Sequence, residues 1–273
     1  AELGYQEGKN IHYDLQNAKA DEGTSQRLAI KIVRDKPDLI VTSSTTATAD
    51  VVKASTGVNI PVVFLNVGNP LEFVKSYASS GNNLTGVSAA TLELTAKRLE
   101  LLKELVPGMK LVLALNNPNG LHYREYVAAA RQGAKRLDFK IVEIDVTSEK
   151  ELAQAMAAIT RKMADAIFPQ PDPVISRKME LVIKQSIKAK LPMVPTLISS
   201  VRRGGLATYG PDYFALGQQG ATLVDKILKG ARPMDLPIGQ PQKFNLVINL
   251  ATAKAIGLKV PKEILIRADE VIE

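Results

Sequence analysis

The feature that most constrains this chain is a short apolar run that breaks into a hydroxyl-rich turn and then a helix. Residues 38–50 carry it: Leu39-Ile40-Val41 is long enough for a buried parallel strand, Thr42 to Thr46 form a polar turn, and from Ala47 the pattern is helical through Asp50-Val51-Val52-Lys53-Ala54. In an open α/β sheet, ligands sit just beyond the carboxyl ends of the strands. A helix N-terminus there offers free N–H groups and a positive dipole end. Ser43, Ser44, Thr45 and Thr46 add hydroxyls that donate or accept, a setting for the carboxylate or other polar head of a small molecule. The same residue types also serve as plain helix caps and turn formers. One such turn decides nothing; its repetition along the chain weighs toward a ligand.

The repetition is extensive. Strands are expected at residues 10–15, 39–42, 61–66, 110–115, 139–146, 164–168 and 192–195, and helices at 24–34, from 47 onward, and at 91–105, 122–137, 148–163, 174–189, 212–229 and 251–256. Strands alternating with helices of this length imply parallel sheets covered on both faces. The pattern restarts near Lys110, which predicts two similar lobes rather than one large sheet. Three extended segments, near 84–88, 206–210 and 244–249, fall outside the rhythm and are accounted for as three crossings between lobes. The fold class is therefore α/β, two Rossmann-like lobes with parallel sheets joined by a three-segment hinge, with a cleft that closes around a ligand. The expected lobes are residues 1–86 with 208–245, and residues 87–207 with 246–273.

Composition narrows the function. With 273 residues the chain can bury sizeable cores, and a formal charge of +7 spread without a basic block gives little support to nucleic-acid binding. The absence of cysteine excludes disulfides, thiolate metal sites and cysteine nucleophiles. No apolar run is long enough to span a membrane. His12 and His122 stand far apart, and no nucleophile elbow, HExxH or phosphate-binding loop is present, so no catalytic residue, metal ligand or cofactor is assigned.

Candidate binding residues cluster at expected strand ends. Asn117 and Thr196 each follow a strand, and Asn69 stands in the polar turn after residues 61–66. Asp172, held between two prolines, reads either as the counter-ion of a ligand amine or as a helix cap. Asp212 has the same two readings, with the cap favoured. Tyr209 either stacks on a ligand or covers a hinge. His122 and Tyr123 read as surface residues.

Several stretches resemble the substrate-binding proteins of ABC transporters, of the tryptophan/tyrosine type. They are KRLELLKELVPG at 97–108, NLTGVS at 83–88, PDP at 171–173, GLATYGPD at 205–212, DKILKGARP at 225–233, FNLVIN at 244–249 and RADEVIE at 267–273. The resemblance runs through essentially the whole chain. It implies a type I periplasmic-binding fold, export from the cytoplasm, and a monomer that captures a small solute and delivers it to a membrane permease. Amino acids, aromatic ones among them, are the solutes associated with such proteins. Carried over by position, the pocket draws on Ser44, Thr45, Thr46, Asp172 and Asp212. Asn69 stands where relatives often have Asp before the same proline, which removes a charge that would pair with an amine. The chain has no Trp, so aromatic contacts fall to Tyr or Phe. The rival expectations are an enzyme working in the interlobe cleft, for instance a hydrolase, and the sensory domain of a regulator.

The beginning of the chain reads as a helix end at residues 1–4, followed by the strand at 10–15. Relatives carry a further strand and helix before this point, the strand lying between the neighbours that here are residues 10–15 and 39–42. The expectation is a natural protein with roughly 30 more residues and an export signal before Ala1.

Overall fold

The computed structural model describes residues 3–273, so the helix end expected at residues 1–4 lies partly outside the described residues. In chain order come α1 (Glu22–Arg34), β1 (Ile40–Ser43), α2 (Thr45–Ala54), β2 (Val62–Val67) and β3 (Leu84–Ser88). There follow α3 (Glu93–Leu105), β4 (Leu111–Asn116), α4 (Tyr123–Arg136), β5 (Lys140–Asp145), α5 (Glu149–Ala158), β6 (Ala166–Pro169), α6 (Pro173–Arg177), α7 (Met179–Lys188), α8 (Ile198–Arg202) and β7 (Ala207–Pro211). The chain ends with α9 (Tyr213–Leu228), β8 (Phe244–Asn249), α10 (Leu250–Ile256), α11 (Lys262–Arg267) and β9 (Glu270–Ile272).

The chain divides into two compact units, Ala1–Ala90 with Asp212–Lys243, and Thr91–Pro211 with Phe244–Glu273. Cuts at 86/87, 207/208 and 245/246 would each split a strand. The structure instead keeps β3 whole in the first unit and β7 and β8 whole in the second. Ladder hydrogen bonds tie a strand to its neighbours along its length, so a unit boundary falls at a strand's end.

In the first unit, β1, β2 and β3 form a parallel sheet in that order. Val62, Val63 and Phe64 are buried between helical layers, as expected of a parallel strand covered on both faces. Phe64 and Val67 pack with Ala29 and Val33 of α1, and Val63 with Ile227 of α9. In the second unit, β4 lies between β5 and β6, all parallel. A second sheet of this unit sets β7 antiparallel to β8, which pairs parallel with β9. Leu99, Leu102 and Leu105, at helical spacing on α3, are fully buried against it with Ala207 and Ile248. Burial of each such leucine stabilises by about 1.5–3 kcal/mol. No helix among the described residues is long and apolar enough to cross a membrane.

Four expectations are corrected. Residues 10–15 form no strand: Asn10 accepts from the Gln6 N–H at 2.7 Å and donates to the Gly4 carbonyl at 3.1 Å, which curls the segment locally. Its apolar members Tyr13 and Leu15 are exposed, and β1 is an edge strand. Residues 192–195 contribute a single bridge, Ile167 to Met193, because Pro192 and Pro195 have no N–H for a ladder. The helix expected to reach residue 163 stops at Ala158, where Ile159 turns extended and buries its side chain. The helix expected over 174–189 is broken at Lys178 into α6 and α7. The helices α8 and α11 and the strand β9 are additions that the sequence pattern did not announce.

Two glycines mark where the packing is closest. A Cβ on Gly86 would lie 2.1 Å from the Phe64 carbonyl oxygen, whereas on Gly220 it would meet only the tip of Leu65, at 2.3 Å. A backbone cannot yield as a side-chain tip can. Gly86→Ala is therefore expected to cost about 3 kcal/mol and Gly220→Ala about 1 kcal/mol, measured by urea unfolding. Equal costs would show that the β2–β3 approach is softer than it looks.

Candidate functional site

In the first unit, candidate residues gather where β1 and β2 end. Ser44 caps α2: its hydroxyl accepts from the Ala47 N–H at 3.2 Å, and its own N–H donates to the Leu65 carbonyl at 3.1 Å. Its backbone sits at φ 119°, ψ 158°, a region that essentially only glycine adopts. Such strain persists where the surroundings over-determine it: the Ser44 carbonyl accepts from both the backbone N–H and the hydroxyl of Thr48, at 3.1 and 2.8 Å. Thr45 extends its hydroxyl to the turn after β2, accepting from the Gly68 N–H at 3.1 Å. Asn69, in that turn, caps a single helical turn by accepting from the Leu71 N–H at 3.2 Å. Just before it, Asn66 is left-handed and the β2–β3 register shifts between Leu65 and Val67. Ser44, Thr45, Thr46 and Asn69 are all half-buried. The first turn of α2 holds no acidic side chain, so its N–H groups and hydroxyls form a donor-rich corner suited to an anionic group.

In the second unit, the ends of β4 and β6 meet. Asn117 donates to Asp172 Oδ2 at 3.0 Å, joining the two turns, and accepts from the Asn119 N–H at 3.0 Å. Asp172 Oδ1 accepts from the N–H groups of Val174 and Ile175, at 2.7 and 3.3 Å, so it caps α6 while carrying acceptor oxygens. A Cβ on Gly120 would lie 2.6 Å from Asp172 Oδ2; only glycine leaves that oxygen clear. These groups line a depression of about 10 Å³, with Tyr123 and Tyr126 at its side. The Tyr123 hydroxyl donates to Asp145 at 3.3 Å, and its pKa is pushed up by burial and by that carboxylate, which keeps it protonated.

The remaining candidates stand elsewhere in their units. Asp212 caps α9, accepting from the Phe214 and Ala215 N–H groups at 3.0 and 3.1 Å, and pairs with Lys243 at 3.0 Å. Tyr209, on β7, stacks on Phe244 at 5.6 Å with 17° between rings, and its carbonyl accepts from the buried Arg98 at 3.0 Å. Thr196 is half-buried ahead of α8. The structure thus joins Ser44, Thr45 and Asn69 through one pair of turns, and Asn117 and Asp172 through another. Thr196, Tyr209 and Asp212 are not bonded to either group in the hydrogen bonds described. Sequence reasoning passed over Asn116 and Gln170, buried polar neighbours of Asn117 and Asp172. The signal was there: both lie within the same two polar turns.

With the strands, turns and donor and acceptor groups placed, the comparisons follow. The chain belongs to the ABC transporter substrate-binding protein family, whose model matches residues 1–272. It is thereby a solute-binding protein of extracytoplasmic type that serves a membrane permease. It is 32% identical over 258 residues to the tyrosine-binding protein of Clostridioides difficile, covering 94% of this chain and 73% of that one. Its structure is similar to that of a conserved domain protein from Vibrio cholerae, with a TM-score of 0.90, 29% identity, and coverage of 99% of this chain and 90% of the other. It is also similar to an ABC domain from Streptococcus pneumoniae in complex with L-Trp, with a TM-score of 0.86, 26% identity, and coverage of 96% and 90%. The fold is the type I periplasmic-binding fold, shared with more distant solute-binding proteins. Neither an enzyme nor a regulator's sensory domain finds support among these relatives.

The strained capping residue makes a direct prediction. Ser44→Gly relieves a conformation costing about 1–3 kcal/mol, at the loss of a cap that glycine replaces to within a few tenths, so a gain of about 1 kcal/mol in unfolding free energy is expected. Ser44→Ala keeps the strain and loses the cap, and should lower stability by about 1 kcal/mol. Destabilisation by both substitutions would mean that the Ser44 conformation is not strained.

Proposed function

We propose that this protein captures a small zwitterion, an aromatic or branched amino acid or a related carboxylate, and releases it to an ABC-transporter permease without chemical change. The observation that carries this reading is the complementary chemistry of the two strand-end groups. The Ser44, Thr45 and Thr46 turn is rich in donors and would hold the carboxylate, whereas Asp172, held in place by the Asn117 amide, presents a carboxylate that would take the amine. The relatives support the amino-acid class, one being named for tyrosine and another holding L-Trp. The chain passes from one unit to the other near residues 90, 211 and 243. Tyr209, Thr196, Asn69 and Asp212 would add further ligand contacts. The protein would act as an exported monomer in the periplasm or its equivalent, with no nucleic-acid partner.

Native mass spectrometry of the purified protein tests the ligand class, since a retained solute appears as a mass excess matching an amino acid. A retained sugar would overturn it. Calorimetry tests the amine contact: Asp172→Asn keeps the cap but removes the charge, and should weaken binding of the amino acid by about 1–3 kcal/mol. Unchanged affinity would remove Asp172 from the site.

A further inference from the structure

Two buried oxygens beside Asp172 have no partner. Asn116 is 1% exposed and Gln170 5% exposed, and neither Asn116 Oδ1 nor Gln170 Oε1 makes a hydrogen bond among the described residues. Buried polar atoms are rarely left so, and each instance asks for an explanation. Neither oxygen can be exchanged for its amide nitrogen by rotating the side chain. The Asn116 NH2 faces the Ala114 carbonyl at 3.4 Å and the Asp145 carboxylate at 3.5 Å, and the Gln170 NH2 faces the Tyr126 carbonyl at 3.4 Å. All three neighbours are acceptors, so the nitrogens belong where they are and the oxygens are the open groups.

The sheet sets these two residues side by side. Leu115 pairs with Pro169, so Asn116 and Gln170 are the next residues on adjacent parallel strands and share a face. Both line the depression of about 10 Å³ that Asp172 and Gly120 also line. That volume admits one group the size of a water molecule and no more of a ligand. We infer that the depression is the seat of a primary ammonium group, whose three N–H donors are taken by Asn116 Oδ1, Gln170 Oε1 and the Asp172 carboxylate. This rests on the reading of Asp172 as the counter-ion of the ligand's amine and adds what selects that amine. An –NH3⁺ group has one donor for each of the three acceptors, whereas N-methylation removes a donor and adds bulk where there is no room. Gly120 keeps the approach to Asp172 open.

The test uses the full chain and three variants, each checked for folding by its melting curve. Gln170→Met and Asn116→Leu remove one acceptor each at similar volume; Gln170→Glu keeps the acceptor. Calorimetry is run with L-tyrosine and L-tryptophan, their N-methyl derivatives, and the corresponding des-amino acids. The wild type is expected to bind the N-methyl and des-amino compounds at least tenfold more weakly than the parent amino acids. Gln170→Met and Asn116→Leu should weaken the amino acids at least tenfold and leave the des-amino acids unchanged, with Gln170→Glu restoring the preference. Equal weakening of amino and des-amino ligands would reduce both residues to structural roles and overturn the inference. If Asn116→Leu does not fold, the two Gln170 variants decide alone. If the wild type binds neither amino acid, the amino-acid reading has failed, and a separate measurement decides the ammonium seat: the side-chain amide NMR signals of Asn116 and Gln170 should shift with methylammonium chloride and not with tetramethylammonium chloride. No shift with methylammonium would overturn it.

Discussion

Every parallel β–α step in this protein delivers the start of a helix to the carboxyl end of a strand, and the first backbone N–H groups of that helix have no partner within it. At five helices that follow a strand, the structure answers this demand with side-chain oxygens. Ser44 caps α2, Ser148 caps α5, Asp172 caps α6, Asp212 caps α9 and Asn249 caps α10. The residues that complete the fold at strand ends are thus of the same types, and in three cases (Ser44, Asp172 and Asp212) the same residues, as those proposed to meet a ligand. A cap consumes only part of an oxygen's capacity, since a carboxylate offers about four lone-pair sites. Capping and ligand contact are therefore compatible at Asp172, whose Oδ1 serves α6 while Oδ2 is reached by Asn117. Binding residues in such a fold need no scaffold of their own beyond the one the helices already require.

The same constraint explains what the chain made legible. The apolar runs at Val62–Val67 and Leu111–Asn116 are bounded by polar turns, so their place in parallel sheets could be read directly. The turns holding Ser44, Thr45, Asn69, Asn117 and Asp172 could be read for the same reason. What was not legible depends on partners distant in sequence. Residues 10–15 have the composition of a strand, but Asn10 bonds locally to Gln6 and Gly4 instead. β9 has only three residues and exists because Val247 and Asn249 of β8 offer it a ladder. Asn116 and Gln170 read as ordinary turn residues until register sets them side by side. Periodicity reports which face a residue shares, and only the ladder reports which neighbour it has.

The two strand-end groups are held ready by opposite means. Around Asp172, the run Pro169-Gln170-Pro171-Asp172-Pro173 places a proline on either side of each polar residue. Proline fixes φ and lacks an N–H, so this turn has few conformations to lose on folding and few backbone donors to satisfy. Its rigidity is covalent and already present in the unfolded chain. Around Ser44 the rigidity comes from strain, in a backbone region foreign to serine and fastened by Leu65 and Thr48. That geometry disappears if its hydrogen bonds open. A ligand that binds only the native turn would therefore gain from every bond that keeps the strained corner closed, whereas it finds the proline-bracketed corner formed at no conformational cost. The acceptor corner is thus rigid from the start, and the donor corner is the one whose order depends on the packing of β1 against β2.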